Sequence, residues 1–205
     1  MFFINDSLTI VLLGDWNRYY IQPDWIAANV YAQQKIELGV SGQGTNFSVT
    51  YRCNDIIIAP SQSQMVFTAQ NAKNETINML VFCINNFMQK AKTPILNAYG
   101  LNCDYVDSNG TQFAEVIDGM TDISGIIDCG YEIKASKITR SLFKNNVVLN
   151  LESFIEGGSV KMHFNEHHAV NSTQMPTVTT EQINSFLNEC KQLVKAFGYE
   201  IEGEE

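Results

Sequence analysis

The sequence predicts an α+β protein in which an antiparallel sheet packs against two main amphipathic helices. Short runs that alternate apolar and polar residues recur along the chain and indicate strands. Two-residue loops of turn-forming residues separate some of these runs, which is the strongest local signal for hairpins. Two longer segments repeat apolar residues at spacings of three and four, as amphipathic helices do. Sheet and helices therefore belong to one mixed class.

The composition is that of a globular protein long enough to bury a core. Of 205 residues, 45% are hydrophobic and 17% charged, which argues against disorder. The formal net charge is −9, with 13 basic residues among 22 acidic ones. A general nucleic-acid binder needs clustered Lys and Arg to displace counterions, so we expect no nucleic-acid partner. An acidic inhibitor that imitates nucleic acid stays open as an alternative function.

The cysteines and the N-terminal region indicate a cytoplasmic protein with reduced thiols. The cysteines are odd in number, widely spread and without a C-x-x-C pair, which suits neither a disulfide framework nor a zinc finger. The apolar run at residues 10–13 is much too short for a secretory or membrane segment. We expect no membrane association, no metal and no cofactor. The five cysteines are Cys53, Cys83, Cys103, Cys129 and Cys190.

The first half of the chain is rich in predicted strands. Residues 8–13 form an apolar run that indicates a buried strand, and Pro23 stands where a short helix over residues 24–32 could start. Two hairpins follow. In the first, the alternation of Ile36, Leu38 and Val40 predicts a half-buried strand. The four strands of these hairpins are predicted at residues 36–40, 47–51, 55–59 and 64–69.

The first long helix is predicted over residues 75–91. Pro94 forbids an undisturbed continuation, so the helix should stop near Lys92 or kink there. Alternation over residues 101–105 predicts a returning strand. The turn that follows, residues 107–110, is the best candidate for a junction between two halves. The apolar stripe of the helix comprises Ile77, Leu80, Val81, Ile84, Phe87 and Met88.

The second half is predicted as a short helix, a meander and a final helix. The short helix falls at residues 113–120, and the meander ends in two strands, residues 147–156 and 159–165. Its last two turns are Asn145-Asn146 and Gly157-Gly158, whose residues tolerate positive φ. Alternation places a set of apolar side chains on one face of this sheet. That set is Val147, Leu149 and Leu151 with Val160, Met162 and Phe164.

The final helix is predicted over residues 180–196, ended by Gly198. Thr179 is the expected N-cap, with Gln182 at the capping-box spacing. Its apolar stripe should lie on the face just described, and comprises Ile183, Phe186, Leu187, Cys190, Leu193 and Val194.

Both halves follow the order hairpin, helix, aromatic-Gly step, which suggests an internal duplication. Alignment of Glu75 with Glu181 also superposes the two apolar stripes, although any two amphipathic helices match in period. We expect an N-terminal α+β half over residues 1–106 and a C-terminal half over residues 107–205. The alternative is one compact domain with a shared sheet.

All three histidines fall in one segment, which contains the string H-x-x-E-H formed by His163, Glu166 and His167. Some zinc peptidases use this string, but the chemistry needs a helix that brings the two histidines to one face. Here the surrounding alternation indicates a strand, on which the two histidines would stand about 13 Å apart at roughly 3.3 Å per residue. A zinc hydrolase is therefore an alternative, and a strand end without a catalytic role is the prediction.

The densest aromatic cluster comprises Trp16, Tyr19, Tyr20 and Trp25. Tyr and Trp join a large apolar area to a polar group, which is why they recur at binding hot spots. The other interpretation is that these rings fold back as the edge of the N-terminal core. We take the cluster as the candidate partner-binding surface.

The sequence favours binding over catalysis, because no catalytic constellation can be assembled from it. The predicted function is a non-enzymatic protein-interaction or assembly module, which binds a protein partner or associates with itself. The alternatives are the acidic inhibitor and a hydrolase built on His163, Glu166 and His167.

Overall fold

The computed structural model gives a mixed protein in which a large antiparallel sheet dominates. The structure describes residues 1–16, 21–43, 46–91, 95–108, 128–129, 135–144, 146–156, 159–170 and 176–202. Within these ranges ten strands form one sheet, accompanied by three α-helices. The predicted class, α+β with an antiparallel sheet, is confirmed.

Except for β1, which no predicted run covers, the strands follow the predicted runs, and β7 and β10 extend beyond theirs. In chain order they are β1 (Phe2–Phe3), β2 (Leu8–Asp15), β3 (Glu37–Gln43), β4 (Asn46–Cys53), β5 (Ile56–Pro60), β6 (Gln64–Ala69), β7 (Ile95–Asp107), β8 (Ala135–Lys144), β9 (Val147–Glu156) and β10 (Ser159–Ala169). The helix predicted at residues 113–120 and the turn Gly157-Gly158 lie outside the described residues.

The helices are α1 (Pro23–Ile26), continued by a π-helical turn (Ala27–Tyr31), α2 (Asn74–Lys90) and α3 (Thr180–Ala196). Among the described residues no helix is long and apolar enough to span a bilayer. Pro23 opens α1 at the position where a missing N–H costs nothing.

The sheet runs in the order β3-β4-β5-β6-β2-β7-β10-β9-β8, and β1 also pairs with β7. Its middle is the antiparallel pair β2–β7, in which Thr9 faces Asn102 and Leu12 faces Tyr99. This pair joins segments about ninety residues apart in the chain. Both predicted halves contribute to one continuous sheet, because β10 of the second half pairs with β7 of the first.

One face of the sheet is covered by the helices and holds the core. On β2 the side chains of Leu8, Ile10 and Leu12 are fully buried on this face, whereas the residues between them are partly exposed. The opposite side of the sheet, called the open face below, carries Thr9 and Val11 from β2. This alternation is the period of two expected for a sheet buried on one side only.

The C-terminal meander has the predicted register. Leu151 faces Phe164 and Ser153 faces Met162 across the β9–β10 pair, so the predicted apolar set shares the covered face. Because side chains alternate, a slip of one residue would move this whole set to the open face. Burial of the set therefore fixes the register.

Helix α3 begins as predicted. The backbone N–H of Gln182 donates to Oγ1 of Thr179 at 3.1 Å, which satisfies one of the free donors at the helix start. Asn85 ties α2 to the segment before α3, because its Nδ2 donates to the carbonyl of Val178 at 2.9 Å. The N–H of Val178 donates back to Oδ1 of Asn85 at 3.2 Å.

Tyr31 anchors the π-helical turn to the sheet. Its hydroxyl lies 2.8 Å from the carbonyl oxygen of Tyr51 and 3.1 Å from that of Ile56. Burial is the main cause that raises the pKa of Tyr31 far above its usual value, so the hydroxyl stays a neutral donor. The turn ends at Ala32, whose backbone is left-handed.

Candidate functional site

The two tryptophans of the aromatic cluster pack inward. Trp16 is only 4% exposed, and its ring meets the ring of Phe87 edge-on at a centroid distance of 5.1 Å. Trp25 is half-buried and contacts the same Phe87 ring at 6.3 Å. Trp16 is therefore a core residue and presents no contact surface. Tyr19 and Tyr20 lie outside the described residues.

The histidine segment lies within strand β10, and its members point to opposite faces of the sheet. His163 pairs with Asp104 and His167 with Gly100 on the open face. Glu166 pairs with Leu101, whose side chain belongs to the buried core on the covered face. The strand thus separates the glutamate from both histidines. Among the described residues no group of three or more His, Cys, Asp and Glu could hold a metal ion.

Glu166 and His168 form a polar pair on the covered face near the start of α3. Nε2 of His168 lies 2.6 Å from Oε1 of Glu166, and the imidazole ring stacks on Tyr99 at 4.5 Å. Gln182 of α3 donates to the Tyr99 hydroxyl at 3.0 Å. Glu166 is 8% exposed, so this pairing satisfies a carboxylate that would otherwise be costly to bury.

Two buried cysteines, Cys83 and Cys190, are held in the thiol form. Burial is the main cause that raises the pKa of Cys83, to about 12. Burial, followed by a hydrogen bond with Cys103, raises the pKa of Cys190 even further. Because the thiolate is the nucleophilic form, these two side chains behave as small apolar residues.

Charged side chains on the open face neutralise one another. Asp104 accepts from Nδ1 of His163 at 2.6 Å and from Nζ of Lys161 at 2.7 Å. Burial raises the pKa of Asp104, but the hydrogen bonds and positive charges of His163 and Lys161 outweigh it, so the pKa lies below its usual value. Lys137 and Glu152 form a second pair at 2.8 Å.

A row of uncharged polar side chains crosses five strands of the open face, and we call it the polar ladder. Ser141 donates to Asn150 at 2.7 Å, and Asn165 donates to Asn102 at 2.6 Å. Asn102 in turn donates to Thr9 at 3.1 Å, so the ladder crosses the β2–β7 pair. Asn150 and Asn165 are joined by a longer contact of 3.4 Å. The polar side chains of the ladder thus satisfy one another's hydrogen-bonding groups within the sheet.

Strand β3, at one end of the sheet, differs from every element above. All its residues from Glu37 to Gly42 are exposed, on both faces. Leu38 is 53% and Val40 61% exposed, although both stand on the side of the sheet that the helices cover elsewhere. The predicted alternation is present, but the expected half-burial is wrong, because no described element lies over this strand.

The outer side of β3 pairs with no described strand, since its one partner is β4. An edge strand presents backbone N–H and C=O groups that can pair with another chain. The sequence signal for this surface was available: residues 37–43 contain no Pro, no Lys and no Arg, the residues that usually protect an edge.

Comparison of the chain with protein-family models and with curated proteins finds no match. Among solved structures, a chain described as a putative adenylate cyclase from Bacillus halodurans is 12% identical. The comparison covers 97% of this chain and 79% of that one, with a TM-score of 0.21. A likeness at this level carries no argument about fold or function.

Proposed function

We propose that the protein is a non-enzymatic interaction or assembly module whose contact surface is the outer edge of strand β3. The observation that carries the proposal is the exposure of Leu38 and Val40 on an edge strand without a described neighbour. Backbone pairing at such an edge supplies affinity, and the alternating side chains supply specificity. The module binds by adding a strand to its sheet.

The opposite end of the sheet supports the choice of β3. Strand β8 carries Lys137, Arg140 and Lys144, and charged side chains discourage pairing at a sheet edge. The exposed β3 strand has only Glu37 as an ionisable residue. Of the two ends, β3 is the one suited to accept a strand.

The paired charges of the open face favour a protein partner over the alternatives. Asp104 and Glu152 are each bound by a cation, whereas an inhibitor that imitates nucleic acid needs unpaired carboxylates in a row. The hydrolase alternative needs His163, Glu166 and His167 together, and the β10 register places them on two faces. Neither alternative has a specific observation in its favour.

The proposal includes an architecture of two related halves, residues 1–106 and 107–205, each with one main helix. Strands β4, β5 and β6 lead into α2, and strands β8, β9 and β10 lead into α3. These two sets lie on opposite sides of the central β2–β7 pair. The cysteines are all unpaired, which supports a cytoplasmic module.

The experiment that tests the proposed function is crosslinking in cells followed by affinity purification. Wild-type protein is compared with a double variant, Leu38→Asp and Val40→Asp, which places charge on the edge. Crosslinked complexes should be abundant for the wild type and at least tenfold weaker for the double variant. Thermal unfolding checks that the double variant is folded.

The matched control is Phe82→Glu, which removes an exposed aromatic side chain from α2, 43% exposed and away from β3. This variant should keep the wild-type complexes. If the double variant retains every complex, the β3 edge is not the contact surface and the proposed function fails.

A further inference from the structure

We infer that the strand accepted by β3 is β3 of a second copy, paired antiparallel about a two-fold axis at Val40. This inference rests on the proposed function and names its partner. The ten-stranded sheet of each copy would continue into the other through the β3–β3 pair. A two-fold contact of this kind is isologous and closes after two copies.

The strand is self-complementary in register. Strand β3 spans seven residues, Glu37–Gln43, and Val40 is the fourth, so antiparallel pairing about Val40 matches the strand over its whole length. In this register Leu38 faces Gly42 of the other copy, and Gly39 faces Ser41. Every residue of the strand thus has a counterpart.

The same register avoids like charges. Glu37 is the only ionisable residue of the strand, and it faces the uncharged Gln43 of the other copy. The two Glu37 side chains then stand about 20 Å apart, six residues along the strand. Like charges placed directly opposite each other would destabilise a pair of strands, and this register places no like charges opposite each other.

In this register the exposed apolar side chains of the two copies pack against one another. Val40 meets Val40 of the other copy across the axis, and Leu38 lies diagonal to that same residue. Gly42, which faces Leu38, has no side chain and leaves space for it. The two copies thus bring together four side chains that are more than half exposed in the single chain.

Head-to-tail pairing of β3 with β8 is the competing arrangement. It would leave one β3 and one β8 free at every stage, and so would build filaments instead of closing. Strand β8 is also the edge that carries Lys137, Arg140 and Lys144. Self-pairing buries the β3 edge of both copies and leaves the charged β8 edges at the two ends of the joined sheet.

The first measurement is the mass of the purified protein in solution over a range of concentrations. We expect a reversible monomer–dimer equilibrium, because a contact of one strand pair is small. Val40→Asp places two carboxylates opposite each other at the axis and should weaken dimerisation at least tenfold. Phe143→Asp, at an apolar residue of β8 that is 73% exposed, should leave dimerisation unchanged.

The second measurement tests the register with single cysteines, in a background with Cys53→Ser and Cys129→Ser. Val40→Cys should form a disulfide-linked dimer on oxidation, because directly opposite residues have Cβ atoms about 4.5–5.5 Å apart. Leu38→Cys should not, since the two positions stand about 14 Å apart in this register. The pair of variants differs only in distance from the axis.

The outcomes separate this inference from the proposed function. A dimer that Val40→Asp weakens and Val40→Cys crosslinks supports both. A protein that stays monomeric, while its cellular complexes depend on Leu38 and Val40, overturns the second copy as partner and keeps the β3 edge. Assemblies that grow beyond the dimer overturn two-fold pairing. A dimer that Val40→Asp leaves intact overturns self-pairing of β3, whatever the cellular complexes show.

Discussion

Strands β10 and β3 carry the same kind of apolar–polar alternation, but their apolar side chains differ in burial. On β10 the apolar residues Met162 and Phe164 are fully buried in the core that the sheet shares with the helices. On β3 the apolar residues Leu38 and Val40 stay more than half exposed, because no described element lies over them. One strand closes the core of the chain, and the other leaves an exposed apolar surface at the sheet edge.

The difference teaches that alternation and cover are separate properties. Alternation states which side chains share a face, whereas cover depends on the elements that tertiary structure places there. An apolar face at an uncovered edge is therefore a candidate contact surface. Three sets of substitutions test this contrast between covered and uncovered strands.

The largest loss of stability is expected from truncation of a fully buried apolar side chain on β10. Phe164→Ala should lower the free energy of unfolding by about 3–5 kcal/mol, because it leaves a cavity in the buried core. The lost ring also contacts Tyr105 edge-on at 6.0 Å. Chemical denaturation at equilibrium measures the change.

The matched control for Phe164→Ala is Leu38→Ala on β3, measured at a concentration where the protein is monomeric. This change should alter the free energy of unfolding by less than about 0.5 kcal/mol, because the side chain already meets water. Similar costs for the two variants would contradict the contrast between a covered strand and an uncovered one.

A smaller effect is expected from the helix that supplies the cover. Thr179→Ala removes the oxygen that accepts from the N–H of Gln182, and should lower the free energy of unfolding by about 1 kcal/mol. Thr177→Ala, at an exposed position before the cap, serves as control and should be nearly neutral. Equal losses for both variants would show that the cap does not stabilise α3.

The smallest loss of stability is expected at Asp104, on the open face of the β7–β10 pair, and it depends on pH. The pKa of Asp104 is lowered in the folded protein, so its ionised form stabilises the fold above about pH 4. This contribution is lost as pH falls through the lowered pKa. The stability advantage of wild type over Asp104→Asn should therefore shrink steadily below pH 4. The contribution is small, because the side chains of Lys161 and His163 are partly exposed, at 45% and 33%.

Unfolding curves of wild type and Asp104→Asn, collected at several pH values, measure this effect. His163→Gln and Lys161→Gln should each reduce the acid-dependent difference, since both cations lower the pKa of Asp104. A difference that is constant from neutral to acid pH would contradict a role for the charge.

Local signals in the sequence predicted the elements and the C-terminal packing. The capping residue Thr179 predicted the start of α3, and alternation predicted the shared face of β9 and β10. These features are local because hydrogen bonds and periodicity act over a few residues. The same alternation placed His163 on a strand, whereas His167 lies beyond the predicted strand end at residue 165 and belongs to the longer observed β10.

Long-range features could not be predicted in this way. The pairing of Thr9 with Asn102 joins distant segments, and no local pattern states which strands become neighbours. The burial of Trp16 depends on Phe87, which belongs to a helix some seventy residues later. The exposure of Val40 depends on the lack of a described element over β3, which periodicity alone does not encode.

The polar ladder has a consequence for how the chain could be divided. Asn165 donates to Asn102 across the β7–β10 pair, which joins the strands of the first half to those of the second in the described part of the sheet. A fragment made alone would leave one side of β7 or of β10 with unpaired backbone N–H and C=O groups. When the two fragments are mixed, these unpaired groups can pair with one another. The molecule is therefore suited to reconstitution from separately produced fragments.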